Sequence, residues 1–221
     1  MVKNKPVYAF EEADSKKRML LGGKGAGLSE MTRLKLPVPP GFTITTEVCN
    51  KYYDNNRKLP KDVMPAVMKN IAKMEKKTGK KWNSTKNPLL VSVRSGAAIS
   101  MPGMMDTILN LGLNEKTVEG FAEQTKNPRF SWDSYRRFIQ LFGKVVFGVN
   151  DEKFDHVLDS AKKKQGVTDD SKLNVESLKK IVSEYKKICE KHTKRKFPDT
   201  PDEQLVLSIE AVFKSWMGER A

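Results

Sequence analysis

Short apolar runs and helical repeats alternate through the first half of the chain, and helical repeats dominate the second. Val7 to Glu11 reads as a short strand; after a polar turn, "LLGGKGAGLSEMTRLKL" places a glycine cluster ahead of an apolar-periodic helix through Leu28, Met31 and Leu34. The predicted order is strand, glycine-rich loop, helix. "PVPPGFTITT" then supplies a proline-punctuated turn and a strand from Phe42 to Thr45. Thr46 with Glu47 behind it opens a helix that takes in Cys49 as a small buried residue. Pro60 fits an early helical position, and Val63, Val67, Ile71 and Met74 recur at helical spacing until Gly79 stops the run. "NPLLVSV" returns to strand. Its consecutive apolar residues predict burial on both faces, and it delivers Arg94 into a loop rich in Ser, Gly, Met and Pro.

From Leu113 onward the pattern predicts helices and no strand. Tyr135, Phe138, Ile139, Phe142, Val145 and Val146 share one face; Phe154, Val157, Leu158 and Ala161 another; Leu178, Ile181, Val182, Tyr185 and Ile188 a third. "KQGVTDDSKLN" and "KFPDTPDEQ" read as polar linkers, and a last helix is expected from Leu205 to Trp216. Its apolar residues Val206, Ile209, Val212, Phe213 and Trp216 need a partner, either the first lobe or sequence not in this chain. The expected class is α+β: an α/β lobe over 1–112, a helical subdomain over 113–198, and a helix over 199–221 that returns to the α/β lobe. No internal repeat is visible.

Composition narrows the partners. Forty-one Lys and Arg against 27 Asp and Glu give a formal charge of +14, which predicts attraction to nucleic acid, a lipid surface or a phosphorylated small molecule. Much of the excess lies in runs such as Lys162 to Lys164 and Lys191 to Lys196, which read as solvated helical faces. With 38% hydrophobic and 31% charged residues, the 221-residue chain can build a sizeable core. The two cysteines, Cys49 and Cys189, are far apart and suggest neither a zinc site nor a disulfide framework, so a reduced, cytoplasmic protein is expected. Neither a secretion signal nor a membrane span is expected.

Two constellations could carry chemistry. "GGKGAG", Gly22 to Gly27, can bring backbone N–H groups close to an anion at a helix N-terminus, with Lys24 adding a mobile charge. It matches neither a P-loop, since Lys24 is followed by Gly25, nor the G-x-G-x-x-G dinucleotide fingerprint. A tight turn with an exposed lysine is the competing reading. Arg94 is the second: the guanidinium fork suits phosphate oxygens, with Ser95, Gly96, Ser100, Gly103 and Thr107 offering hydroxyls and amides nearby. An ion pair with Asp106 explains it equally well. Met101, Met104 and Met105 suit either core filling or a pliable lid. Arg136 and Arg137 adjoin an aromatic face, one expected solvated and the other packed or paired; His156 and His192 have no nucleophile or ligand set beside them.

"VYAFEEA", "LLGGKGAGLSEMTRLKLPVPPGFTITTE", "NPLLVSVRSGAAISMPGMMDTILNLGLN", "NPRFSWDSYRRFIQ" and "AVFKSWMGERA" together resemble the nucleotide-binding domain of the pyruvate, phosphate dikinases, in order and over nearly the whole chain. The "SMPGMMDTILN" loop is closer to those dikinases than to phosphoenolpyruvate synthase or the glucan water dikinases. The resemblance implies a partial ATP-grasp-like fold that binds ATP between lobes, its terminal phosphates passing through a phosphohistidine carrier domain to pyruvate and inorganic phosphate. The phosphate-binding positions it implies are Lys24 and Arg94 as clamps, with Gly23, Gly25, Ser95, Gly103, Met105 and Thr107 around the phosphates. It also implies magnesium held by residues of a second ATP-grasp lobe outside this chain, a pyruvate-binding barrel, and a homodimer of the full-length protein. The chain is thus expected to be the first lobe and helical insertion, incompetent alone. A related phosphoenolpyruvate synthase or water dikinase is one alternative, and a basic nucleic-acid module is the competing class. It has the charge behind it but no recognised motif, and the aromatics keep core periodicity.

Overall fold

The computed structural model describes residues 4–96 and 107–216, and the fold mixes helix and strand. Contacts gather these residues into two compact units. The first lies within the ranges Met1–Lys80, Arg94–Asp106 and Ile209–Ala221, and the second within Lys81–Val93 and Thr107–Ser208.

In the first unit, β1 (Val7–Ala9) pairs antiparallel with β2 (Phe42–Ile44), Tyr8 opposite Thr43. The intervening chain forms α1 (Arg18–Arg33), and α2 (Thr46–Asp54) and α3 (Val63–Thr78) follow β2. Alternation within β1 puts Val7 and Ala9 into the core, where Val63, Val67 and Ile71 of α3 meet the same sheet. Gly79 ends α3 in the left-handed region at φ 69°, where a residue without Cβ is favoured. Pro60, expected inside the helix, precedes its first turn by three residues. Glu11 and Glu12 beyond β1 pair with Lys77 and Lys73 of α3 and pin the strand to the helix.

In the second unit, β3 (Val91–Arg94) and β4 (Thr107–Leu111) form a two-stranded sheet, followed by α4 (Thr117–Thr125), α5 (Pro128–Val145), α6 (Asp151–Gln165), α7 (Val175–Thr193) and the start of α8 (Pro201–Ser215). β3 is not buried on both faces: Val91 and Val93 are half-buried, and Ser92 and Arg94 are exposed. In a two-stranded sheet the apolar run covers one side only. β4 lies in the stretch expected to be loop. Asn110 adopts φ 58° there, which breaks the alternation and lets Ile108 and Leu111 both be buried. α8 starts at Pro201, inside the expected linker, because Pro suits the first helical turn. Buried Gln204 ties this turn to the end of β4: its amide accepts from Gly112 N–H at 3.1 Å and donates to Leu113 and Pro198 carbonyls at 3.0 Å.

α5 packs against β4, α4, α6 and α7. Its start is set by the Asn127 side chain, which accepts from Phe130 N–H, with Pro128 in the first turn. Tyr135, Phe138, Ile139 and Phe142 are fully buried, and Phe197 meets Phe142 with ring centroids 5.3 Å apart. Asp133 on the same helix accepts from Arg136 Nε at 2.8 Å through Oδ1 and from Arg137 Nε at 3.1 Å through Oδ2. Arg136 is buried and Arg137 exposed, as the aromatic face beside them leads one to expect.

Two outcomes follow from this packing. Asp133→Ala leaves Arg136 buried without its main counter-ion and should cost about 3 kcal/mol in urea unfolding, whereas Arg137→Ala, on a solvated partner, should cost under about 1 kcal/mol. Burial pushes the Cys49 thiol up to about 11 and the Cys189 thiol up to about 12. Both should therefore resist thiol reagents at about pH 8 in the native chain and react on denaturation.

Candidate functional site

The glycine cluster is not a loop. Helix α1 runs through it, interrupted only at Gly22, whose φ of 71° and ψ of 166° lie outside the helical region. Glycine adopts such angles without a Cβ penalty. The break makes Gly23, Lys24 and Gly25 the opening turn of a second helical segment. The positive end of the helix dipole lies at the same place. Gly25 is buried on β2, where a Cβ would come 2.7 Å from Thr43 Oγ1, while Lys24 is exposed.

The strand end from β3 meets this turn. A Cβ on Gly22 would lie 1.7 Å from the Gly96 carbonyl oxygen, and one on Gly96 would lie 3.5 Å from Lys24 Cβ and 3.9 Å from the Lys24 and Gly25 nitrogens. The backbone leaving Arg94 therefore sits directly against the helix start. Gly23, Lys24, Gly25, Arg94 and Ser95 all lie in the first unit, and Gly96, next to Ser95, is the residue that reaches the Gly22–Gly25 turn. Thr107, half-buried, opens β4 in the second unit. Gly103 and Met105 lie outside the described residues, as does Asp106, the alternative partner for Arg94.

Electrostatics sharpens the picture. Lys24 and Arg94 are both exposed, and their side chains have no hydrogen bond or ion pair with a described residue, unlike Lys73 and Lys77 of α3. Two cations without a partner among the described residues, near a kink that opens a helical segment, suit an anion. Ser95 differs from expectation in its surroundings: it is 1% exposed, and its hydroxyl accepts from the Trp216 indole N–H at 2.9 Å.

A groove of about 880 Å³ runs along α1 from Gly23 past Gly27 to Glu30. Glu30 does not supply a base there, because hydrogen bonds from Arg33 and then Ser15 hold its carboxyl down at about 2. Among the described residues, no group of three His, Cys, Asp or Glu could hold a metal ion. His156 and His192 are exposed on α6 and α7. Also among the described residues, no helix is long and apolar enough to cross a membrane.

Sequence reasoning had no means of separating Gly22 from its neighbours, and it missed Trp216 as part of the site. The glycine run signals a backbone requirement but not which glycine bears it. No local signal connects Trp216 to a serine 121 positions earlier.

The family model described as pyruvate phosphate dikinase, AMP/ATP-binding domain, matches residues 18–58 and 55–221. The pyruvate, phosphate dikinase of Entamoeba histolytica is 54% identical over 97% of this chain and 24% of its own length. That of Clostridium symbiosum is 48% identical over 97% of this chain and 25% of its own, and the chloroplastic pyruvate, phosphate dikinase 1 of Arabidopsis thaliana is 44% identical over 100% and 23%. The chain spans about a quarter of the length of these relatives.

Gly22 and Gly27 should respond oppositely to the same change. Gly22→Ala combines a positive φ with a collision against backbone and should destabilise the chain by about 2 kcal/mol or more. A Cβ on Gly27 meets nothing within 4 Å, so Gly27→Ala should be neutral or stabilise by up to about 1 kcal/mol. Thermal unfolding of the two variants checks the contrast.

Proposed function

This chain belongs to the pyruvate phosphate dikinase AMP/ATP-binding domain family, and we propose that within it Lys24 and Arg94 are the two clamps on the phosphates of ATP. One observation carries the reading: the Gly96 backbone rests on the Gly22 break, which brings the chain just after Arg94 to the turn that carries Lys24, and neither side chain has a partner among the described residues. Backbone N–H groups of Gly23 to Gly25 take phosphate oxygens, Lys24 supplies a point charge, and the Arg94 fork supplies paired donors. Phosphoryl transfer is catalysed mainly by such positioning and by stabilising charge on the transferred oxygens. Gly103, Met105 and Thr107 belong to the same reading as the cover near the terminal phosphate.

The whole-protein reading goes further. The chain is the first part of a pyruvate, phosphate dikinase that makes phosphoenolpyruvate, AMP and diphosphate from ATP, phosphate and pyruvate by way of a phosphohistidine carrier domain and a pyruvate-binding barrel. Its fold is a partial ATP-grasp-like domain, divided as 1–112, 113–198 and 199–221. The full-length protein is a homodimer of the cytoplasm, with organellar forms in the family suggested by the Arabidopsis relative's name. Magnesium is part of the same reading, its ligands assigned to a second ATP-grasp lobe outside this chain.

Calorimetric titration tests the clamps. Lys24→Gln and Arg94→Gln should each weaken ATP binding by about 10- to 100-fold, the scale of one charge-assisted hydrogen-bonded contact, while AMP binding stays within about twofold. In the full-length protein either change should block phosphorylation of the carrier histidine by ATP and spare the pyruvate half-reaction. Equal loss in both half-reactions, or salt-sensitive oligonucleotide binding with no response to ATP, would sink the assignment.

A further inference from the structure

Arg94 is exposed, but the residue that follows it is fixed from two sides. Gly96 leans on Gly22, and Ser95, 1% exposed, accepts a 2.9 Å hydrogen bond from the indole N–H of Trp216. Trp216 is itself held. It lies one residue beyond α8, and its backbone N–H donates to the Phe213 carbonyl at 3.1 Å. That same carbonyl accepts from the Tyr53 hydroxyl at 2.7 Å, and the Phe213 ring packs on Tyr52 of α2 with centroids 5.4 Å apart. Tyr52 is fully buried. A continuous set of contacts therefore runs from the buried face of α2, through the end of α8, to the peptide that carries Arg94.

We infer that Trp216 is a positioning residue for Arg94, acting through Ser95. This rests on the reading of Arg94 as a phosphate clamp. An arginine on an exposed strand end can sweep a wide volume, and a clamp gains from losing that freedom before the ligand arrives. The indole bond fixes the Ser95 Cα–Cβ direction, and with Gly96 seated on Gly22 it fixes where the Arg94 side chain leaves the backbone. It also changes the part given to Ser95. The hydroxyl accepts from the indole inside the protein, and through that bond Ser95 supports the clamp.

Trp216→Phe keeps an aromatic ring and removes only the N–H donor. In the full 221-residue chain it should raise the ATP dissociation constant about fivefold, the scale of one hydrogen bond, and leave AMP binding unchanged. The deciding measurement is the same substitution in two backgrounds. With K24Q present the fivefold loss should persist, and with R94Q present it should vanish, because the residue being positioned is gone. A loss of equal size in both backgrounds would show that Trp216 serves general stability, and no loss in either would show that the bond has no role; each overturns the inference while leaving the clamps standing. If R94Q alone leaves ATP affinity unchanged, the clamp reading falls and the inference with it. Ser95→Ala removes the acceptor while keeping Trp216 and should reproduce the pattern; it decides the matter if Trp216→Phe does not fold.

Discussion

The closest backbone approach at the site, Gly96 on Gly22, is the constraint from which its geometry derives. A carbonyl oxygen occupies the place where any other residue at position 22 would carry its Cβ. Two conditions meet at that residue: no side chain, and a φ of 71° that L-residues with side chains rarely adopt. The positive φ ends the first helical segment and starts the second, and the missing Cβ admits the strand end that carries Arg94. Kinking the helix and bringing in the arginine are thus one event. A rigid helix start and a fixed strand end then present fixed backbone donors and two mobile cations to the same volume.

Elsewhere the chain spends its charges differently. Lys73, Lys77, Lys162 and Lys186 all have carboxylate partners, and buried Arg136 is paired with Asp133 on its own helix. Most such pairs are partly solvated and contribute little individually. The surplus of positive charge is therefore not by itself a binding signal, and many exposed lysines share with Lys24 and Arg94 the lack of a carboxylate partner among the described residues; what sets these two apart is their place in the chain beside the contact of Gly96 with Gly22.

How much of this was legible in the sequence depends on how local each cause is. The long helices were legible because their apolar residues recur with the helical period, and Val63, Val67 and Ile71, or Tyr135, Phe138, Ile139 and Phe142, are buried as that spacing requires. Gly79 was legible as a stop because a left-handed C-terminal residue favours glycine. The glycine cluster misled because low intrinsic helix propensity argued for a loop, whereas tertiary packing of Gly25 on Thr43 favours helix. β3 misled because an apolar run specifies neither how many strands flank it nor which side stays open. β4 was hidden by the left-handed Asn110, which spoils the period of two. Lys24 and Arg94 could be picked out as residue types suited to phosphate, but their meeting depends on a contact between residues 22 and 96, and that separation leaves no local trace. The bond from Trp216 to Ser95 is more distant still.

The unmatched pair of cations has a thermodynamic consequence for the folded chain as a whole. Folding seats Gly96 beside Lys24, two residues from Arg94, and leaves both exposed side chains without a carboxylate partner among the described residues. A ligand that binds only the folded chain stabilises it by mass action, by an amount that grows with the logarithm of its concentration. The protein's resistance to unfolding is therefore not a fixed property of its core, but varies with the concentration of phosphorylated ligand around it.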